Sequence, residues 1–409
     1  MAVIELVDLN PAIEVALLGA GLALLPAAWV AWRGRRQGLR GWPAWQRVLT
    51  VATLFLTLDL VVFGAFTRLT DSGLGCPDWP GCYGELSPFQ AHADISAAQA
   101  VLPDGPVTHG KAWIEMIHRY LATAVGALIT GLMVLAWRMR HEGGLSPWWA
   151  TATFVWVCAQ GAFGALTVTL KLQPIIVTGH LLGALLGVGM LMAQVRVLTR
   201  AQPVRDDGWA RSPLRTAGWV LLALLVLQIA SGAWVSTNYA VLACTEFPTC
   251  QGRWWPDMDF ASAFRLMRPL GGDGEGGYLT LAALTAIHVL HRSLAVLVAV
   301  ALAVYAWALH RWKVDGVPVW RAEARWLVGL LAWQLTSGLS NVVLGWPLAA
   351  ALAHTLGAAL LVAWLVRLLV RPRGAVAAER SDASETARKA HAEAPHQGHH
   401  GGSVRPSAS

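Results

Sequence analysis

Four histidines in the chain form two matched pairs, His118 with His180 and His291 with His354, and the partners are 62 and 63 residues apart. All four lie in long apolar runs, where ionisable or metal-binding side chains mark function. Two imidazoles from facing helices at one depth make the axial ligand set of a six-coordinate haem iron, and a helix bundle supplies a slot for the flat macrocycle. Packing is the alternative role for any single histidine. A metal ion without porphyrin is the alternative for the pairs, although the carboxylates and thiolates expected around such an ion are sparse. One turn ahead of the ligands the pairs differ: Glu115-x-x-His118 in one, His288-x-x-His291 in the other. The i, i+3 spacing sets Glu115 on the helix face of His118. A carboxyl at membrane depth is costly and suits a proton acceptor; a carboxylate paired with Arg119 or Lys111 at the interface is the plainer use. Chemistry is therefore expected beside His118 and His180, and a stationary electron-transfer haem beside His291 and His354.

The residues around the histidines have two readings each. Gly179, Gly183 and Gly357 let a flat ring approach the helix backbone, or let helices pack closely in lipid. Arg119 and Arg292 directly follow a ligand and either pair with haem propionates or reach the outer interface. The five cysteines include two close pairs, in GLGCPDWPGCYG and LACTEFPTCQG. Disulfides Cys76–Cys82 and Cys244–Cys250 are the default in an oxidising compartment, with a four-cysteine zinc site as the alternative and Cys158 as an inert thiol within a span.

These elements repeat. Cys244 follows Cys76 and Cys250 follows Cys82 by 168 residues, His291 follows His118 by 173, and His354 follows His180 by 174. MIHRYLA is answered by VLHRSLA, and VTGHLLGALL by LAHTLGAALL. The chain is thus expected to hold two homologous four-helix units.

Apolar runs of about 20 residues, the length that crosses a bilayer, recur along the chain. Nine spans are expected, at 12–32, 47–67, 114–137, 148–170, 174–195, 216–236, 279–309, 326–346 and 348–370. The first stands outside the repeat, and its basic cluster follows the apolar run, unlike that of a cleaved signal peptide. With 56% hydrophobic and 13% charged residues, a soluble class is excluded, since about 25% charge is usual there. The runs do not alternate, which excludes a β-barrel. The net charge of +7 implies no nucleic acid, because the basic residues cluster between spans. The connections after spans one, three, five and seven, with their flanking span ends and the C-terminal tail, carry 23 Lys and Arg; the other side carries six. An outside N-terminus and a cytoplasmic C-terminus follow. From 373 onward, a solvated tail with His396, His399 and His400 is expected, or a metal scavenger.

The segments FGAFTRLTDSGLGCPDWPGCYG, EMIHRYLATAVGAL, VTGHLLGALL, HVLHRSLAVLV and LAHTLGAAL together resemble the haem A synthase family of bacteria and mitochondria over residues 47–370. The resemblance implies an all-α membrane fold of two pseudo-twofold-related four-helix bundles, to which this chain adds an N-terminal span. The expected divisions are 1–40 (extra span and basic loop), 41–200 (substrate-haem bundle), 201–372 (haem b bundle) and 373–409 (cytoplasmic tail). It implies oxidation of the C8 methyl of haem O to a formyl group by successive hydroxylations. Glu115 then becomes the catalytic carboxylate, His118 and His180 the ligands around the substrate haem, and His291 and His354 the axial ligands of a haem b cofactor; His288 takes no ligand role. Cys76 and Cys82 match loop cysteines for which a redox step is considered, while Cys244 and Cys250 in the other half favour a structural clamp. The implied setting is the bacterial cytoplasmic membrane with haem sites towards the outside. Haem O and membrane lipid are the implied partners, with a haem O synthase (farnesyltransferase) and cytochrome oxidase assembly factors as further candidates. Two other functions use the same quartet: a di-haem b-type electron-transfer cytochrome, and a non-enzymatic haem carrier or chaperone.

Overall fold

Prolines and hydroxyl residues set the helix starts. Pro43, Pro147, Pro174 and Pro213 occupy the first turns of four long helices, where their missing N–H leaves no bond unmade. Thr108, Ser212 and Thr280 cap the helices that follow them, their side-chain oxygens accepting from the N–H of Lys111, Leu214 and Ala283. The computed structural model describes residues 10–199, 208–269, 278–314 and 316–370. In order, the helices are α1 (Asn10–Arg36), α2 (Trp42–Leu69), α3 (His92–Val101), α4 (His109–Arg138), α5 (Pro147–Thr169) and α6 (Pro174–Leu198). Then come α7 (Pro213–Thr237), α8 (Phe260–Ala263), α9 (Leu281–Arg311), α10 (Arg321–Val343) and α11 (Leu348–Leu369). Strands β1 (Lys313–Val314) and β2 (Val317–Pro318) form a minimal hairpin before α10. The expected tail from 373 and its histidines lie outside the described residues.

Eight helices among the described residues are long and apolar enough to cross a membrane: α1 from Ile13, α2, α4, α5, α6, α7, α9 and α11. Helix α10 stands at the eighth expected span with 23 residues, but Gln334, Thr336, Ser337, Ser340 and Asn341 make it more polar than the rest. Phe55, Val155, Leu186 and Trp307 are each about 60% exposed on the outer faces, as in a chain whose solvent is hydrocarbon. The protein is therefore a polytopic helical membrane protein. Hydroxyls inside the spans bond back to their own helix, as Thr50, Thr53 and Thr57 do to the carbonyls four residues earlier.

The largest apolar core joins α2, α6, α7, α9, α10 and α11 through residues such as Leu54, Leu191, Leu225, Leu302, Leu327 and Leu365. Helix α2 packs on α4, α6 and α11, and α7 packs on α9, α6 and α11. Helix α1 lies along α4 and touches α2; at Gly19 an added methyl would collide with Thr123, so the two helices approach nearly to backbone contact.

Candidate functional site

The four histidines sit on four different helices: His118 on α4, His180 on α6, His291 on α9 and His354 on α11. His118 and His180 are electrostatic neighbours, as are His291 and His354. Each ring faces a glycine of an adjacent helix. A methyl at Gly64 of α2 would stand 3.0 Å from Nε2 of His118, and one at Gly164 of α5 would stand 3.7 Å from Cε1 of His180. At Gly232 of α7 the distance to Cε1 of His291 would be 2.9 Å, and at Gly338 of α10 it would be 3.1 Å to Cε1 of His354. At three of these four positions, any side chain would displace the imidazole. All four rings border one continuous cavity of ≈ 1890 Å³, well beyond the ~300–1,000 Å³ of ordinary small-molecule sites. Glu115, Arg119, His288 and Arg292 also line it, and α1 adds Val15, Ala16 and Ala20 to its wall.

Glu115 is buried (3% exposed) one turn before His118. Its Oε2 accepts from the backbone N–H of Cys76 at 2.8 Å, and its Oε1 accepts from Nη2 of Arg119. Of the two basic partners considered for it, Arg119 is the one engaged; Lys111 turns away and donates to the carbonyl of Gly105 at 3.0 Å. The corresponding place in the second half is held by buried His288, whose Nε2 accepts from Nε of Arg292 at 3.2 Å.

The two arginines grip the loops that carry the cysteines. Arg119 Nη1 donates to the carbonyls of Pro80 and Gly81, and Arg292 donates to those of Thr249 (3.2 Å) and Cys244 (3.0 Å). Cys76 is bonded to Cys82 and Cys244 to Cys250, which leaves no thiolates for the zinc alternative. Cys158 is a free thiol on the exposed side of α5. The loops are built alike: Asp78 accepts from the N–H of Tyr83 and Gly84 (2.7 Å each), and Glu246, 168 residues later, accepts from the N–H of Gly252 (2.5 Å) and the hydroxyl of Thr249 (2.9 Å). Those bonds, the Gly252 N–H foremost, hold the Glu246 carboxyl below the usual carboxylate range. Where the halves meet, Arg68 donates to the carbonyl of Ser236 (2.5 Å), and the Tyr239 hydroxyl donates to Asp71 (2.5 Å). Each of these pairs is separated by 168 residues.

The polar partners of the rings differ between halves. Ser231 Oγ lies 2.8 Å from Nδ1 of His291, and Ser337 Oγ lies 3.0 Å from Nδ1 of His354. In the first half Phe63 stacks beside His118 with ring centroids 6.4 Å apart. Nδ1 of His180 is buried with no hydrogen-bond partner among the described residues.

The donor set fits haem. Paired imidazoles border a common cavity, and glycines open the space beside them. The family model described as "Cytochrome oxidase assembly protein" matches residues 47–366. A protein of Shewanella oneidensis named "Heme A synthase" is 39% identical over 319 residues, covering 77% of this chain and 93% of the relative. The chain belongs to the haem A synthase family. Relatives of that name from Sphingopyxis alaskensis and Alkalihalophilus pseudofirmus are 30% and 27% identical, covering 76% and 80% of this chain and 87% and 98% of their own. Helix α1 precedes the matched region, so its residues in the cavity wall lie outside what that family model covers.

The structure places Glu115 and the four histidines on the border of one cavity. Gly64, Gly164, Gly232 and Gly338 are site residues that the spacing of the ligands did not indicate. Gly179, Gly183 and Gly357 instead pack against Phe163, Gln160 and Trp333 of neighbouring helices, the close-packing alternative. The signal for the other four is present: Phe-Gly at 63–64 and 163–164 is answered by Ser-Gly at 231–232 and 337–338, at the repeat offsets of 168 and 174.

Proposed function

We propose that this chain oxidises the C8 methyl group of haem O to a formyl group by successive hydroxylations, giving haem A for cytochrome oxidase. The observation that carries this reading is Glu115, a buried carboxylate on the cavity wall with no acidic counterpart in the second half. Arg119 and the Cys76 N–H fix both of its oxygens. Each hydroxylation would break a C–H bond of the methyl, pass two electrons one at a time through a neighbouring haem to an external one-electron acceptor, and form a C–O bond to a water oxygen; such a fixed anion would stabilise the positive charge developing at the carbon, and its oxygens would accept a proton released. His118 and His180 hold the substrate haem. His291 and His354 hold a haem b, which would supply a one-electron relay beside the substrate. The apolar wall contributed by Val15, Ala16 and Ala20 accommodates the farnesyl tail of haem O.

The proposed architecture is nine spans, N-terminus outside and C-terminus inside, with α10 as the least apolar. Unit one (41–200) comprises α2, α4, α5 and α6; unit two (201–372) comprises α7, α9, α10 and α11; residues 1–40 add the flanking span. Supporting a pseudo-twofold relation, α6 packs on α7 as α11 packs on α2. The pairs Arg68 with Ser236 and Asp71 with Tyr239 touch across one repeat length, as positions near such an axis do. The disulfide loops cap the end where Glu115 lies, consistent with haem sites towards the oxidising outer side of a bacterial cytoplasmic membrane. A farnesyltransferase that makes haem O and oxidase assembly factors are the proposed partners. The loop disulfides are proposed as structural clamps, since the non-catalytic half has the same one.

Co-expression with a haem O source tests the reading through the extracted pigments. Wild type should yield haem A beside haem B, and Glu115→Ala should lower haem A by about 10²-fold or more. Equal haem A in both would remove Glu115 from the chemistry. Two equivalents of haem B and no haem A in wild type would favour the di-haem cytochrome.

A further inference from the structure

The hydroxyls beside the second histidine pair fix where the imidazole protons lie. Ser231 Oγ is 2.7 Å from the carbonyl oxygen of Gln228, and Ser337 Oγ is 2.7 Å from that of Trp333. A carbonyl cannot donate, so each hydroxyl proton lies in that bond and each serine oxygen faces Nδ1 only as an acceptor. Nδ1 of His291 and of His354 therefore carries the ring proton. Their Nε2 atoms then carry the lone pairs, the tautomer an iron ligand needs, and Nε2 of His291 has only a long contact of 3.5 Å, to the Gln228 amide nitrogen. Gln228 Nε2 also lies 3.1 Å from Nδ1 of His291, while its Oε1 is buried without a partner. That amide nitrogen also donates to the carbonyl of His291 at 3.4 Å; exchanging the two amide atoms, which have nearly the same shape, gives up this long bond and brings a second acceptor to the ring.

The first half lacks this arrangement at both rings. Counting back one repeat, Ser231 becomes Phe63, Gln228 becomes Leu60, and Ser337 becomes Phe163. Among the described residues no hydroxyl reaches His118 or His180, and Nδ1 of His180 is unpartnered. The adjoining glycines are kept, so the two halves share room for the ring and differ in what holds it.

We infer that Ser231 and Ser337 are positioning residues that make the second histidine pair a permanent holder, and that Phe63 and Phe163 leave the first pair free to take up haem and release it. This rests on the proposed reading that the pairs face two haems with different fates. An imidazole whose Nδ1–H is donated to a fixed acceptor is locked in angle and is a stronger electron donor. One without that bond turns, changes tautomer and lets go more readily. A site that takes in a substrate haem and discharges a product haem needs the second behaviour, whereas an electron relay needs the first.

The test is the rate at which purified, haem-loaded protein gives up haem to excess apomyoglobin, together with the midpoint potential of the retained haem. Ser231→Ala and Ser337→Ala should each speed release of haem b about tenfold or more and raise its potential, and Ser231→Thr and Ser337→Thr should restore both. Release and potential unchanged in the alanine variants would overturn the inference. Phe63→Ser combined with Phe163→Ser should slow release from the first site about tenfold, a gain that a misfolded protein does not produce; release no slower than in wild type would also overturn it. His291→Ala separates the two levels. If haem b survives that change, the parent reading fails; if haem b is lost while the serine variants behave as wild type, only the present inference fails.

Discussion

The helices from Trp42 to Leu198 and those from Pro213 to Leu369 set a histidine on their second and fourth long members and a glycine against each ring, yet they differ in what touches those rings. In the first half Phe63 stacks beside His118 and Glu115 precedes that ring by one turn; in the second Ser231 and Ser337 lie against Nδ1 of His291 and His354, and His288 takes the place of Glu115. The common features are those any haem site demands: a nitrogen donor and space beside it. The differing features are those that decide what happens there. A carboxylate supplies a charge and a proton acceptor, whereas a serine holds an imidazole still. On the proposed reading, the two sites would separate chemistry from electron transfer by a few substitutions around a common frame.

The largest effects should come from the ligands themselves. His291→Ala or His354→Ala is expected to abolish the stable haem b spectrum, while His118→Ala or His180→Ala keeps that spectrum and loses haem A formation. Absorption spectra and pigment extraction of the four variants read this directly, and a haem b spectrum lost equally in all four would erase the division between halves. A step smaller is the space beside the rings. Gly232→Ala places a methyl 2.9 Å from Cε1 of His291 and should weaken haem b retention by about 1–3 kcal/mol. Gly329→Ala on α10 meets nothing within 4 Å and serves as the control, expected to change haem content by less than about half a kcal/mol, that is by about twofold at most.

The smallest effects concern the loops. Replacing Cys244 and Cys250 by serine should lower stability by about 2 kcal/mol, the loop-closure value for so short a ring, and replacing Cys76 and Cys82 should do the same. Thermal unfolding in detergent measures both. Haem A yield is expected to follow stability equally in the two cases. A collapse of haem A confined to the Cys76 and Cys82 variant would give that disulfide a chemical part and sharpen the contrast between halves.

The membrane spans, the quartet and the exception at Glu115 are legible in the sequence because each is a matter of residue type and period. Helix α10 is harder to read as a span because Gln334, Ser337 and Asn341 face neighbouring elements and dilute its apolarity. The grip of Arg119 and Arg292 on the cysteine loops is hidden for another reason. Loop carbonyls have no residue identity, so a side chain that bonds to them leaves no mark on the sequence. The glycines opposite the rings are hidden because the space a ring needs is set by the helix across from it, not by the helix that carries the ligand.

The contacts between Arg68 and Ser236, and between Asp71 and Tyr239, join positions one repeat apart. In a homodimer of identical subunits, a residue on the twofold axis meets only its own copy. Asp71 would then face a second Asp71, two carboxylates repelling each other at the seam. Written into a single polypeptide, the two sides of the seam are encoded separately, and the carboxylate at one position is met by a phenol at the other. The same freedom from self-pairing lets one half carry Glu115 and the other His288. On the proposed pseudo-twofold plan, covalent fusion would thus be what permits the two halves to diverge.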